Sequence, residues 1–134
     1  MVLVDSSVWI LTPRKPSWRD LVGEDEIVTC LPVIEEVLRG APSEQKYQAH
    51  LAQFEAVTIL DSPLPYETFL DAVQIFRVGR VLGITIRSPY DCLIAACAIR
   101  NGAEVLHADR DFTHIARFTS LKQRNYSDLA LPHE

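Results

Sequence analysis

Val2-Leu3-Val4-Asp5-Ser6-Ser7-Val8-Trp9-Ile10 decides the fold. The three aliphatic residues form a run too short for a helix, and it stops at a carboxylate, as a buried strand of a parallel sheet often does. Ser6 or Ser7 then suits the cap of a helix beginning near Val8. The alternation repeats downstream. Glu26-Ile27-Val28-Thr29 reads as a second strand, followed by a helix over 32–39 with proline at its start and Gly40 at its end. A further helix over 43–56 has Leu51 and Phe54 as apolar anchors, and Val57-Thr58-Ile59-Leu60 makes a third strand. A long amphipathic helix covers 65–82, where Phe69, Ala72, Val73, Phe76 and Arg80 recur at helical spacing.

The clearest start signal is Ser88-Pro89-Tyr90-Asp91. It offers an N-cap serine, proline at the first helical position and an acid three residues after the cap, a capping box. Cys92 to Ile99 is apolar on nearly every side, which predicts a central, buried helix that Asn101-Gly102 ends. Glu104-Val105-Leu106-His107 reads as a fourth strand, a short helix follows Asp109, and Phe118-Thr119-Ser120-Leu121 is expected as a fifth, edge strand. The expected fold is an α/β sandwich of three layers, with a mostly parallel sheet of four or five strands flanked by helices.

The 134 residues suit one domain over 1–134, and 48% hydrophobic with 23% charged residues is globular composition. No apolar run approaches the ~20 residues of a membrane span. Met1 to Asp5 lacks a basic region before its apolar run, so no secretory leader is expected. Cys30, Cys92 and Cys97 are odd in number and lack zinc-ligand spacing, which fits a reduced, cytoplasmic protein. Thirteen Lys and Arg against eighteen Asp and Glu give a net charge of −5. Such a chain is no generic polyanion binder; contact with nucleic acid needs a local basic patch or a metal ion.

Ligands of open α/β sheets sit beyond the carboxyl ends of the strands. Asp5 follows the first strand, Asp109 and Asp111 follow the fourth, Asp91 opens the buried helix, and Glu35 and Glu36 lie in the helix after the second strand. Carboxylates gathered on one rim raise one another's pKa unless a cation joins them, and a hard divalent ion is the natural partner. Each acid also has an ordinary role open to it: Asp5 as a cap, Asp91 in its capping box, Asp109 and Asp111 in the first turn of a helix, and the glutamates on a solvated face. Helical geometry does not choose between Glu35 and Glu36, which flank the arc of Val33, Ile34, Val37 and Leu38 about equally on ~100° per residue.

The segments MVLVDSSVWI (1–10), Glu-Val-Leu-Arg-Gly (36–40), Asp-Cys-Leu-Ile-Ala-Ala (91–96) and Val-Leu-His-Ala-Asp-Arg-Asp-Phe (105–112) together resemble the PIN domain family, and within it the VapC-type toxins of toxin–antitoxin pairs. The resemblance implies a Mg²⁺- or Mn²⁺-dependent endoribonuclease, held inactive by a cognate antitoxin and assembled as a homodimer. It implies catalytic roles for Asp5, Glu36, Asp91 and Asp109, metal binding by Asp5, Asp91 and Asp109, and auxiliary roles for Ser7 and Asp111. Family members often carry an acid or Asn after the Trp-Ile pair, where this chain has Leu11-Thr12. The negative charge suits an antitoxin tail that brings Arg or Lys to the acidic rim.

Arg14, Lys15, Arg39, Arg87, Arg110 and Arg117 could meet RNA phosphates around that rim, although scattered solubilising charge explains most of them. Trp9 and Trp18 could stack on bases, with the core the more usual place for Trp9. His107 shares strand parity with Asp109 but reads as a packed strand residue. The helix from Pro65, with Phe69 and Phe76, could supply a dimer face. A phospho-accepting receiver-like signalling domain would use Asp61 and Lys122, yet it needs an acidic pair where Asp5-Ser6-Ser7 supplies one acid. A dinucleotide-binding module lacks its glycine-rich loop. A catalytically silent PIN-like protein-binding module would have no need of the acids.

Overall fold

The computed structural model describes residues 1–11 and 17–129. Its strands are β1 (Val2–Val4), β2 (Ile27–Cys30), β3 (Thr58–Leu60), β4 (Glu104–His107) and β5 (Lys122–Asn125). They form one sheet in the order β3-β2-β1-β4-β5, every neighbouring pair parallel. β1 takes the centre because Val-Leu-Val has no polar side chain to keep wet; Leu3 lies opposite Val28 on one side and Val105 on the other. All three β1 residues are buried. The edges go to the strands with least to bury: Thr58 and Ile59 of β3 are exposed, and β5 reads Lys-Gln-Arg-Asn.

Helices flank this sheet: α1 (Ser6–Trp9), α2 (Trp18–Val22), α3 (Leu31–Arg39), α4 (Glu44–Glu55), α5 (Tyr66–Val81), α6 (Pro89–Asn101), α7 (Arg110–Ala116) and α8 (Tyr126–Leu129). The proline of α3 sits in its first turn, where no backbone N–H is needed, and Ser43 caps α4 by accepting the Lys46 N–H. α6 is the buried helix its composition predicts, with Asp91, Cys92 and every residue from Ile94 to Ala98 inside. Gly102 ends it at φ 68°, a left-handed position that only glycine takes without strain. All three cysteines are free and buried. No helix of the described residues is long and apolar enough to cross a membrane.

Three expectations need correction. The fifth strand lies at 122–125, not 118–121. Thr119 turns the chain there by donating to the Ile115 carbonyl and accepting the Leu121 N–H, so Phe118 and Leu121 pack against the core before pairing starts. Neither Ser6 nor Ser7 caps α1; Asp5 does, accepting the Ser7 N–H. The long helix α5 turns inward Thr68, Ala72, Ile75 and Gly79, while Phe69 and Val73 are about half exposed. Small residues win the inner face because α5 packs closely: a Cβ on Gly79 would meet the Ile84 carbonyl and the Phe118 ring at 3.2 Å.

Candidate active site

Along the sheet the chain first runs outward from β1 through β2 to β3, then returns to β4 on the other side of β1. The strand order therefore reverses between β1 and β4, and the crevice beyond their carboxyl ends is where such sheets bind ligands. Asp5 enters it directly from β1, its N–H donating to the Leu106 carbonyl of β4 at 2.9 Å. The Asp5 Oδ2 accepts both the N–H and the hydroxyl of Ser7, and that hydroxyl accepts the Ala108 N–H at 2.9 Å. Ser7 thus ties the ends of both strands to one carboxylate. Burial raises the Asp5 pKa, and the Ser7 bonds partly oppose the rise.

Of the two glutamates in α3, Glu36 faces the crevice. The Ser6 hydroxyl donates to its Oε1 at 3.1 Å, and burial together with the Asp5 charge raises its pKa. Glu35 is exposed and pairs with Arg39 at 2.6 Å, which holds its carboxyl below the usual range.

Asp91 does not form its capping box. The Ser88 hydroxyl makes no cap bond; instead Asp111 Oδ2 accepts the N–H groups of Arg87 and Ser88, each at 3.1 Å. With another carboxylate capping its helix, Asp91 stays turned into the crevice at 3% exposure. Burial first, then the charge of Asp5 and the proximity of Asp111 and Asp109, push its pKa up to about 10. Asp109 caps α7 by accepting the Asp111 N–H at 2.9 Å, and its own N–H donates to His107 Nδ1.

These acids fall into two groups that share Asp91. Carboxylate oxygens of Asp5, Glu36 and Asp91 lie within 4.8 Å of one another, and so do those of Asp91, Asp109 and Asp111. Buried oxygens of Asp5 (Oδ1), Asp91 (Oδ2) and Asp111 (Oδ1) have no hydrogen-bond donor. Buried acceptors are almost always satisfied. Converging carboxylate oxygens without donors are the donor set of a hard divalent cation, and the residues fit one.

The expected quartet Asp5, Glu36, Asp91 and Asp109 thus meets at one crevice, with Ser7 and Asp111 beside it. Two contributions escaped the sequence. No periodic signal links Ser6 to a glutamate thirty residues away, and the helix-capping role of Asp111 takes over the one assigned to Asp91. His107 is fully buried, with Nδ1 accepting from Asp109 and Nε2 bonded to Gln123 at 2.6 Å, so both ring nitrogens are engaged within the fold. Trp9 is core, its indole N–H donating to the Val4 carbonyl. Asp61 accepts from Thr68 and Asn101, remote from the acid groups, as the receiver reading does not allow. Thr12, Arg14 and Lys15 lie outside the described residues.

The family model of the PIN domain matches residues 2–118. The chain belongs to the PIN domain family. This PIN domain is 36% identical to ribonuclease VapC11 of Mycobacterium tuberculosis (strain ATCC 25618 / H37Rv) over 94% of its own length and 99% of the relative's. Its fold matches VapBC2 from Rickettsia felis, solved bound to a DNA fragment from its promoter, with a TM-score of 0.72 at 15% identity over 93% of this chain and 98% of that one. It also matches VapBC-1 from nontypeable Haemophilus influenzae, with a TM-score of 0.69 at 20% identity over 95% and 99%. All seven acids and serines of the crevice lie inside the matched span of the PIN domain, whereas β5 lies beyond it.

Proposed function

We propose that this chain is a metal-dependent endoribonuclease, the toxin of a toxin–antitoxin pair whose antitoxin silences it. The observation that carries this reading is the set of buried, donor-less oxygens on Asp5, Asp91 and Asp111 within two carboxylate groups that share Asp91. Family membership and relatives named as VapC ribonucleases support it.

In this reading Asp5, Asp91 and Asp109 hold Mg²⁺ or Mn²⁺. Held there, such an ion would lower the pKa of a bound water and neutralise charge on the phosphate oxygens. Ser7 fixes the rotamer of Asp5 against the β4 end. Ser6 occupies one oxygen of Glu36, leaving Oε2 to take the proton of the attacking water. The new bond joins that water's oxygen to phosphorus, the bond to the 3′ oxygen breaks, that oxygen takes a proton from solvent, and the products carry 5′-phosphate and 3′-hydroxyl ends. Asp111 acts as a positioning residue, fixing the helix end from which Asp91 projects.

The partner is a cognate antitoxin whose basic side chain neutralises the acidic rim, in a chain of net charge −5. A homodimer belongs to the same reading, supported by the apolar Phe69 and Val73 on the outer face of α5, and the site of action is the cytoplasm. The decisive experiment is cleavage of total RNA by antitoxin-free protein with Mg²⁺ or Mn²⁺, against EDTA and against Asp91→Asn. Discrete fragments that need both metal and Asp91 sustain the reading. Metal-independent fragments, or none from folded protein, overturn it.

A further inference from the structure

Beside Glu36 the surface opens into a cleft of about 790 Å³ that touches the acid groups only through Ser6 and Glu36. Its wall is built from α2 and α4: Trp18 and Arg19 on one side, Lys46 and His50 on the other. The Arg19 guanidinium lies 4.4 Å from the centre of the Trp18 ring and 5.5 Å from that of Trp9. Trp9 in turn meets Trp18 edge to face at 5.0 Å, so the cation rests on a fixed aromatic base. Among the described residues neither Arg19 nor Lys46 has an ion-pair partner, although acids outnumber bases in the chain.

The geometry points to this cleft as a subsite for a single-stranded RNA segment next to the scissile phosphate. The inference rests on the ribonuclease reading and names where the substrate strand leaves the acids. An unpaired guanidinium lying on indole presents a flat, positively charged face with free N–H donors, which suits a base stacked above it and a phosphate beside it. Lys46 supplies a second, mobile charge for the backbone. The volume lies in the range that encloses a nucleotide-sized ligand. A duplex offers no free base face to that platform, so the strand it takes is unpaired. Continuity with Ser6 and Glu36 puts the bound nucleotides next to the bond to be cut.

The test uses exposed residues, whose loss leaves the core intact: Arg19→Ala, Lys46→Ala and the double variant, with thermal melting as the check on folding. Oligoribonucleotides of about six nucleotides are cleaved with Mn²⁺, and KM and kcat are separated. Binding is read in the Asp91→Asn background from tryptophan fluorescence, since both tryptophans of the chain sit at this cleft. The expected result is quenching on binding, a KM raised about tenfold in the double variant, and kcat within about twofold. Metal-dependent cleavage with unchanged KM overturns the subsite and leaves the ribonuclease standing. Variants that keep KM but lose inhibition by the antitoxin assign the cleft to a protein partner, which overturns it as well. Wild-type protein that cleaves nothing removes the ribonuclease and the subsite together.

Discussion

Asp111 caps the helix that carries Asp91. Its Oδ2 accepts the N–H groups of Arg87 and Ser88, more than twenty residues earlier in the chain, and the acid expected to close that helix is thereby left free. One carboxylate does the structural work so that another can stay unpaired. Asp111→Ala should lower stability by about 1–2 kcal/mol, since two partly buried amides lose their acceptor. Asp111→Asn keeps an acceptor oxygen and should lose less than half of that. Urea midpoints for the pair check this, and equal losses would count against the cap.

Asp91 imposes a pH dependence on the metal-free protein. Its folded pKa, about 10, stands far above the ordinary 3.8. A group raised in this way contributes its stability fully below its unfolded pKa and loses it as pH rises toward the folded value. Melting temperature in EDTA should therefore fall between pH 5 and pH 9, with Asp5 and Glu36 adding in the same direction. Asp91→Asn should flatten the slope and raise the melting temperature near pH 8 by roughly 3 °C or more, while abolishing cleavage. Parallel slopes in variant and wild type would contradict the assignment.

Mn²⁺ or Mg²⁺ should restore what the clustered charges cost. The expected increase in melting temperature is larger at pH 8 than at pH 5.5, because protons compete with the ion for the same oxygens. Differential scanning fluorimetry across a metal titration measures it. An increase that does not vary with pH would place the ion elsewhere.

Ser6 and Glu36 should act as a unit. Ser6→Ala removes the hydroxyl that donates to Oε1 and should slow cleavage about tenfold, less than Glu36→Gln. Added to Glu36→Gln, Ser6→Ala should cost almost nothing more. Multiplicative losses in the four-enzyme cycle would separate the two residues.

Gly79→Ala tests the close approach of α5. Alanine is the better helix former by about 1 kcal/mol. Its methyl group would nevertheless meet the Ile84 carbonyl and the Phe118 ring at 3.2 Å. Net destabilisation of about 1–3 kcal/mol is expected, read as a shift in the denaturation midpoint with activity per folded molecule unchanged.

The sequence made legible whatever depends on local pattern. Short runs of mostly apolar residues located β1 to β4, and the near-uniform apolarity of α6 located the buried helix. Asp5, Asp91 and Asp109 stood out because each lies at a strand end or a helix start, whereas Glu36, inside α3, entered only through the resemblance to the PIN domain family. What stayed hidden depends on contacts between distant segments. β5 is a strand of Lys, Gln, Arg and Asn held by backbone pairing to β4, with Arg124 facing Glu104 at 2.7 Å, and no apolar alternation marks it. Helical spacing alone left Glu35 and Glu36 level; the contacts with Arg39 and Ser6, one to each, separate them physically. The face of α5 was misjudged because Phe69 and Val73 outrank Ala72 and Gly79 in hydrophobicity, whereas close packing selects for small size.

The sheet order also sets when the chemistry can exist. The strand beside Asp5 on the crevice side is β4, which the ribosome makes a hundred residues after β1. Until that strand slots in, Asp5 has no Leu106 carbonyl for its amide, Ser7 has no Ala108 amide to accept, and Asp109 and Asp111 have yet to be synthesised. A growing chain therefore lacks the assembled crevice, which comes into being only when the crossover that inserts β4 beside β1 closes.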